Sequence, residues 1–455
     1  MRGGGRLRRA IALTGVVAGL VAGAAASPAA AAADRPAGAV AAGRGPAEAR
    51  FCMPIGVDRP VCAAGTPIER ATFVDPTARI TSPRRVALGE LVYVAPFAEL
   101  LAERDAPITI GAESNVEDKA VLEASPASSA ERDAAIAALG IAPGRGIEIA
   151  ARTVFGHHTS VRGPAVIGIG GGPIAADPDG QAEVILNQGA QVDGAWLEQN
   201  TAVSVLARVG PGVRLRSGMQ VLPGKSVDTQ AEADDPALGK VVPLTEADVE
   251  GTELSIEANT GFAREYSRMQ RERRSLVRGI GPDPGGTEFS GERSVPVTSA
   301  APGTCEGRPT LAPAFRSRII GSVCLEDPLA RLRQVVGDGV SLRADEGTDT
   351  PYLLGRIDKM ADGVVFHDVP EAGITVGDDV VYGEDSTIHS GPGREAVVGD
   401  RVRLGADSVV FGSVVGSDSV VGERALVGFS DLAPGTVVPP GTLLLGDEVF
   451  GTVEW

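Results

Sequence analysis

The sequence predicts a mainly β protein built as two tandem left-handed parallel β-helices, the first of which is followed by an α-helix. Toward its carboxyl end the chain divides into six-residue units that open on an aliphatic residue, such as VGDRVR from Val398 and LGADSV from Leu404. A period of six fits neither an α-helix nor an alternating strand, but it fits a hexapeptide-repeat solenoid with three units per coil. The 60 glycines and the aromatic content of 4% agree with a turn-rich fold whose core consists of small branched side chains.

The first half of the chain carries the same repeat. IGAESN opens at Ile110 and FGHHTS at Phe155, and the segment FVDPTARI from Phe73 parallels LEDPLARL from Leu325. We therefore expect two diverged copies of one β-helical domain, here called prisms because each has three flat faces. The predicted boundaries are 51–279 for the first prism with its helix, 280–304 for a Pro/Gly/Ser-rich linker and 305–455 for the second prism.

The amino-terminal part predicts export. Residues 1–33 combine a basic start, the apolar run AIALTGVVAGLVAGAAA and an alanine-rich end with several cleavage sites, which is typical of a secretion signal. A flexible Ala/Gly/Pro-rich segment, 34–50, follows. No later apolar stretch is long enough to span a membrane, so we expect a secreted, extracytoplasmic protein. The formal net charge of −17 disfavours a nucleic-acid partner.

Several motifs resemble those of the γ-class carbonic anhydrases. SLRADEG from Ser341 is similar to the R-x-D-E-G segment of that family. LGRIDKMADGVVFHD from Leu354 and SNVEDKAVLEA from Ser114 are similar to its run that ends at a metal-binding histidine, and FGHHTSVRGPAVIG from Phe155 is similar to its H-x-x-x-x-H pair. The resemblance covers most of the chain after Arg50, except the linker and two insertions in the first prism. It implies a zinc site between neighbouring prisms and hydration of CO₂ to bicarbonate.

Neither prism keeps all three histidines of the family, but the losses are complementary. The residues at the three positions are Glu123, His157 and Arg162 in the first prism, and His367, Glu384 and His389 in the second. Because the family site takes ligands from two prisms, the resemblance implies one metal site formed by His157, His367 and His389, with a fourth position open for water. The opposite pairing of faces would join the three substituted residues in an ion-paired contact with no room for a cation.

The resemblance also implies roles for other residues. Arg343 and Asp345 match a pair that bridges adjacent prisms. Glu346 matches a carboxylate that orients the reacting water or accepts its proton, and Asn259 matches an active-site asparagine next to the carboxyl-terminal helix. We expect His158, the fourth histidine of the chain, to be a solvated neighbour, or at best a hydrogen-bond donor behind the ligands, and not a ligand itself.

The expected cofactor is Zn²⁺, although three imidazoles would also accept Fe²⁺ or Co²⁺. Three positions depart from the family pattern. The family's glutamine near the metal is replaced by Ala361 in the second prism and by Glu117 in the first, and its acidic proton-shuttle position is Pro370.

Prisms of this family close into rings of three, which two prisms per chain cannot fill by alternation. The resemblance therefore implies a homo-oligomer, most simply three chains with six prisms, or a hetero-oligomer with a related prism. It implies one metal per chain. In a competing arrangement, a ring of second prisms alone would use His367, His389 and Glu384 as ligands.

Two other functions stay open at this point. One is a non-catalytic assembly or binding protein that keeps the γ-carbonic anhydrase-like prism. The other, less favoured, is a hexapeptide acyltransferase with a single histidine base. Export would separate an acyltransferase from cytosolic coenzyme A, and the R-x-D-E segment has no place in its mechanism.

We predict that Cys52 pairs with Cys62 and that Cys305 pairs with Cys324. An even number of cysteines placed just before each prism, in an exported chain, favours two local disulfides over a zinc site. Peptide mapping of the unreduced protein should recover both pairs. A link between the two halves of the chain, or four free thiols, would contradict the assignment.

Overall fold

The computed structural model describes residues 67–75, 77–176, 182–272, 317–321, 323–327, 329–345, 352–369 and 372–455, without the side chains of 269–272, Gly321 and Leu329. The secretion signal, the flexible segment 34–50 and the linker lie outside the described residues, so these remain predictions. Of the four cysteines only Cys324 is described. It is buried and is not a free cysteine, and the predicted pairing is otherwise untested.

The first unit, within residues 67–272, is a coil of short strands in which every third strand joins the same sheet. Its three sheets contain parallel strands, except for one antiparallel strand at the end. Face 1a comprises β1 Phe73–Val74, β4 Tyr93–Val94, β7 Asn115–Val116, β10 Thr153–Phe155, β13 Val184–Leu186, β16 Thr201–Val203, β19 Met219–Val221 and β21 Val241–Pro243. Face 1b comprises β2 Arg79–Thr81, β5 Glu99–Leu101, β8 Val121–Glu123, β11 Ser160–Arg162, β14 Gln191–Asp193, β17 Arg208–Val209 and β20 Ser226–Val227. Face 1c comprises β3 Val86–Leu88, β6 Ile108–Ile110, β9 Ile147–Ile149, β12 Ala165–Ile167, β15 Trp196–Leu197 and β18 Arg214–Leu215.

The second unit, within residues 317–455, repeats this organisation with three further sheets. Face 2a comprises β22 Arg318–Gly321, β24 Ser341–Ala344, β27 Val365–His367, β30 Thr387–His389, β33 Val409–Phe411, β36 Leu426–Gly428, β39 Thr442–Leu445 and the antiparallel β40 Glu448–Thr452. Face 2b comprises β23 Val323–Leu325, β25 Tyr352–Leu354, β28 Ile374–Val376, β31 Ala396–Val398, β34 Val414–Val415 and β37 Asp431–Leu432. Face 2c comprises β26 Ile357–Met360, β29 Val380–Tyr382, β32 Arg403–Leu404, β35 Val420–Val421 and β38 Val437–Val438.

The hexapeptide pattern accounts for the interior of both coils. On face 1b the middle residue of a three-residue strand points inward, as at Leu100, Leu122 and Val161, and its neighbours point outward. These aliphatic side chains stack from coil to coil into one continuous core in each unit. The prediction of a mainly β protein with parallel sheets is confirmed.

Four α-helices lie within the described residues. Their bounds are α1 Ala130–Ala138, α2 Gln230–Asp234, α3 Glu246–Glu272 and α4 Leu329–Val335. Helix α1 forms part of an insertion in the first unit, and Ser129 caps its amino terminus. The predicted helix after the first prism is confirmed as α3. None of the helices in the described residues is long and apolar enough to cross a membrane.

Helix α3 covers face 1a because the outward side chains of that face are apolar. Ile256 packs against Val154, Ile185 and Ala202. Farther along the helix, a second apolar cluster contains Phe73, Tyr93, Phe262, Ala263 and Tyr266. The helix therefore lies beside the turn that follows β10.

The units pack together through face 2a of the second unit and the turns that follow the strands of face 1a in the first unit. An apolar cluster of Val205 and Leu206 from the first unit with Phe411 and Leu443 from the second fills one end of this contact. The carboxyl-terminal Trp455 donates its indole N–H to the main-chain oxygen of Leu206 at 2.8 Å. At the other end, the buried pair Arg318 and Asp75 joins the units, with Nε and Oδ2 at 3.0 Å. The contact therefore combines apolar packing with buried ion pairs.

Candidate metal centre

Two neighbouring strands of face 2a carry histidines side by side. His367 ends β27 and His389 ends β30, and the two residues are register partners in the parallel ladder. Phe366 and Ile388 point into the core, so the flanking histidines point outward on the same face. His157 reaches this pair from the first unit, where it lies in the turn after β10.

The three histidines converge on one point and are buried, with 2%, 5% and 5% of their surface exposed for His157, His367 and His389. One ring nitrogen from each lies within 4.8 Å of the others. The Nε2 of His157 and the Nδ1 of His367 are 3.2 Å apart. Zinc–nitrogen bonds of 2.0–2.1 Å in a tetrahedral site place two ligand nitrogens about 3.3 Å apart. The spacing therefore suits a metal ion.

Each imidazole has one inner nitrogen, which faces the other two rings, and one outer nitrogen, which faces away from them. Each outer nitrogen lies near an oxygen atom. The Nδ1 of His157 is 3.3 Å from Asp118 Oδ2, and the Nε2 of His367 is 3.4 Å from Asp345 Oδ1. The Nδ1 of His389 is 2.6 Å from the main-chain oxygen of Ser390. An oxygen acceptor favours the proton on the nitrogen that faces it, so the inner nitrogens present lone pairs to the centre. Two lone pairs at 3.2 Å repel each other unless a cation lies between them.

The surroundings favour neutral imidazoles, the form that binds metals. Burial, followed by the nearby Arg343 guanidinium, lowers the pKa of His367. Burial, followed by the neighbouring His367 and His157, places the pKa of His389 well below its ordinary value. Both rings are therefore deprotonated and available as ligands at neutral pH.

A buried arginine joins the carboxylates that face the histidines. Arg343 is fully buried, and its Nη1 donates to Glu117 Oε2 at 2.9 Å and to Asp118. Its Nε donates to Asp345 Oδ2 at 2.9 Å. The guanidinium opposes the effect of burial and lowers the pKa of Asp345 to about 2, and it holds the pKa of Asp118 below its ordinary value. Arg343 and Asp345 therefore lie at the contact between the units.

A cavity of about 60 Å³ opens beside the three histidines. Its lining includes the amides of Asn187, Gln188 and Asn259. The apolar lining consists of Val154, Ile185, Leu186, Val369 and Phe411. The side-chain oxygens of Gln188 and Asn259 are buried and receive no hydrogen bond from the described residues. Asn259 Nδ2 donates to Ser255 on its own helix at 2.9 Å. A small molecule in the cavity would therefore meet both apolar side chains and amide groups.

The remaining predicted residues fall in different places. Glu346 and Pro370 lie outside the described residues, so the role inferred for Glu346 stays a prediction. Ala361 does not line the cavity, whereas Glu117 does, with Oε1 accepting from Asn115 Nδ2 at 2.8 Å.

The substituted positions lie away from the histidine cluster. Arg162 Nε is 3.9 Å from Glu123 Oε2 on face 1b, and Glu384 is exposed on the second unit. These three residues do not meet within the described chain.

The expectation that His158 is solvated was wrong. Its side chain is 11% exposed and lies against the second unit, with Nδ1 at 3.7 Å from Asp385 Oδ1. Burial, then the nearby His157 and Lys119, lowers its pKa to about 3. The contact between the units covers this corner of the first prism, which a single prism would leave in solvent.

Sequence reasoning missed three groups that the structure places at the site. Asp118 faces His157, Tyr266 of α3 binds Asp345, and Gln188 lines the cavity. Asp118 lies inside the segment SNVEDKAVLEA, so a residue-by-residue reading of that segment could have found it, whereas Tyr266 reaches Asp345 only because the units are docked. Gln188 follows β13 in a turn and carries no motif.

The chain was compared with protein-family models and with curated proteins, and neither comparison found a match.

We predict that His157→Ala removes a bound metal as completely as His367→Ala or His389→Ala. Each variant deletes one of three ligands, which should weaken binding by more than the about 10- to 100-fold typical of an outer partner. Metal content measured after dialysis against a weak chelator tests this. Glu384→Ala is the matched control from the competing arrangement, and loss of metal from it but not from His157→Ala would refute the proposed ligand set.

The metal-free protein should lose stability in acid in two stages. The folded-state pKa values of His367 and His389 lie below the unfolded value of about 6.5, so their contribution is present above that pH and decreases as the pH falls below it. Asp345, with a folded pKa of about 2, adds a second loss as the pH falls from about 4 toward 2. Denaturant unfolding across this range measures both stages. His389→Asn should flatten the first stage only, and a stability independent of pH between about 8 and 5 would contradict the prediction.

Proposed function

We propose that the chain is a zinc-dependent carbonic anhydrase of the γ-class type, with left-handed coils and one site between its two units. The observation that carries the proposal is the convergence of three buried imidazoles from both units, with His157 Nε2 and His367 Nδ1 3.2 Å apart. The ligand set follows the complementary losses of histidine in the two copies. Zn²⁺ is the cofactor that a closed set of three imidazoles with one open position suits best.

The charge around the site also favours a divalent cation. Glu117, Asp118 and Asp345 bind one guanidinium, that of Arg343, and Asp368 is buried beside Asp345 and His367, so the carboxylates of the cluster outnumber its cations. Uncompensated buried charge is costly. A dication at the three imidazoles would offset this excess.

Zn²⁺, when bound, lowers the pKa of water toward neutrality and supplies a nucleophile for CO₂. The residues of the chain have separate tasks. The apolar lining that includes Val154 and Phe411 suits uncharged CO₂, whereas the amides of Asn259 and Gln188 suit the polar product. Glu117, fixed by Arg343 and Asn115, places a carboxylate at the edge of the cavity. Glu346 remains the proposed group that accepts the proton.

The three imidazoles also separate this function from acyl transfer. Acyl transfer with a single histidine base would not require three converging imidazoles. The acyltransferase alternative is therefore less favoured.

The test is CO₂ hydration by protein of known metal content, measured by stopped flow with a pH indicator. We expect activity in proportion to bound zinc, and a rate equal to the uncatalysed background in His157→Ala and His389→Ala. Glu384→Ala, which leaves the site intact, should keep the full rate. Stoichiometric zinc without hydration would instead identify a non-catalytic binding or assembly protein.

A further inference from the structure

The carboxylates that face the histidines are themselves held by hydroxyl groups. Asp345 Oδ2 accepts a hydrogen bond from Tyr266 Oη at 2.5 Å. Asp118 Oδ1 accepts one from Ser341 Oγ at 2.6 Å. All four side chains are buried.

Each hydroxyl group belongs to one unit and binds a carboxylate of the other unit. Tyr266 belongs to helix α3 of the first unit but binds Asp345, which faces His367 in the second. Ser341 belongs to β24 of the second unit but binds Asp118, which faces His157 in the first. Each chain of hydroxyl, carboxylate and imidazole is therefore complete only when the units are docked.

The hydrogen bonds to the two oxygens of each carboxylate fix its rotation. In Asp345, Tyr266 and the Nε of Arg343 both donate to Oδ2, which leaves Oδ1 facing His367. In Asp118, Ser341 donates to Oδ1, and Oδ2 faces Arg343 and His157. Loss of a hydroxyl would leave the carboxylate held by Arg343 alone.

The orientation of these carboxylates matters because the histidines lie so close together. If the proton of His367 moved to Nδ1, that nitrogen would donate to His157 Nε2 across the 3.2 Å gap. His367 Nδ1 would then carry a proton, and the lone pair of His157 Nε2 would accept it. Neither nitrogen could bind a metal. A carboxylate held beside Nε2 of His367, and another beside Nδ1 of His157, prevents this.

We propose that Tyr266 and Ser341 are positioning residues, each of which holds the carboxylate that selects the tautomer of a histidine in the site. Tyr266 acts through Asp345 on His367, and Ser341 acts through Asp118 on His157. The proposal rests on the proposed metal site, but its first consequence, the tautomer of each ring, is a property of the metal-free protein.

The experiment is ¹⁵N NMR of the histidine rings in the metal-free full chain, which contains only four histidines. We expect the proton on Nδ1 of His157 and on Nε2 of His367. Tyr266→Phe should convert His367 to a mixture of tautomers and leave His157 unchanged, and Ser341→Ala should do the reverse. Zinc affinity, measured by competition with a chelator, should fall about tenfold in each variant.

Matched controls are available for both variants. Tyr93→Phe removes a hydroxyl in the same aromatic cluster, where the described residues offer that oxygen no hydrogen bond. Ser408→Ala removes a buried hydroxyl that donates to the Gly405 oxygen at 2.8 Å. Neither control should change a tautomer or the zinc affinity.

The outcomes separate the two proposals. A single Nε2-protonated form of His367 in Tyr266→Phe, with unchanged zinc affinity, would overturn the role of Tyr266, and the matching result for His157 would overturn that of Ser341. Wild-type protein with the expected tautomers but no affinity for zinc would leave the positioning role intact and refute the proposed function.

Discussion

One fully buried cation joins the contact between the two units to the histidine cluster. Arg343 has no exposed surface, and its guanidinium binds Glu117 and Asp118 of the first unit and Asp345 of its own. Removal of one partner from such a buried network typically costs several kcal/mol, because the remaining charges are left uncompensated. The docking of the units and the environment of the histidines are therefore set by the same interaction.

This dependence explains why the candidate site lies between the units and not within one of them. Adjacent strands of a parallel sheet can present two histidines side by side, as β27 and β30 do with His367 and His389. The third histidine must approach from outside the sheet, because one side of each strand faces the core and the other side already carries a histidine. His157 does so from a turn, the part of a coil that projects farthest.

The sequence predicted the mainly β repeat with parallel sheets, the helix after the first unit and the histidines that the structure brings together. These features follow from local periodicity or from motifs in single segments. The state of His158 could not be predicted in this way, because its burial arises from the second unit, which is distant in sequence. The same holds for Tyr266 and Ser341, whose hydroxyls matter only because docking brings each to a carboxylate of the other unit.

Tethering of the two units in one chain offers a physical reason for the proposed ligand set. Linked modules raise each other's effective concentration, so one pair of surfaces can form without recruiting further copies. The proposed metal site needs histidines on face 2a and at one turn of the first unit. Glu123 and Arg162, whose charged groups lie 3.9 Å apart on the partly exposed face 1b, take no part in the proposed site and face each other as opposite charges.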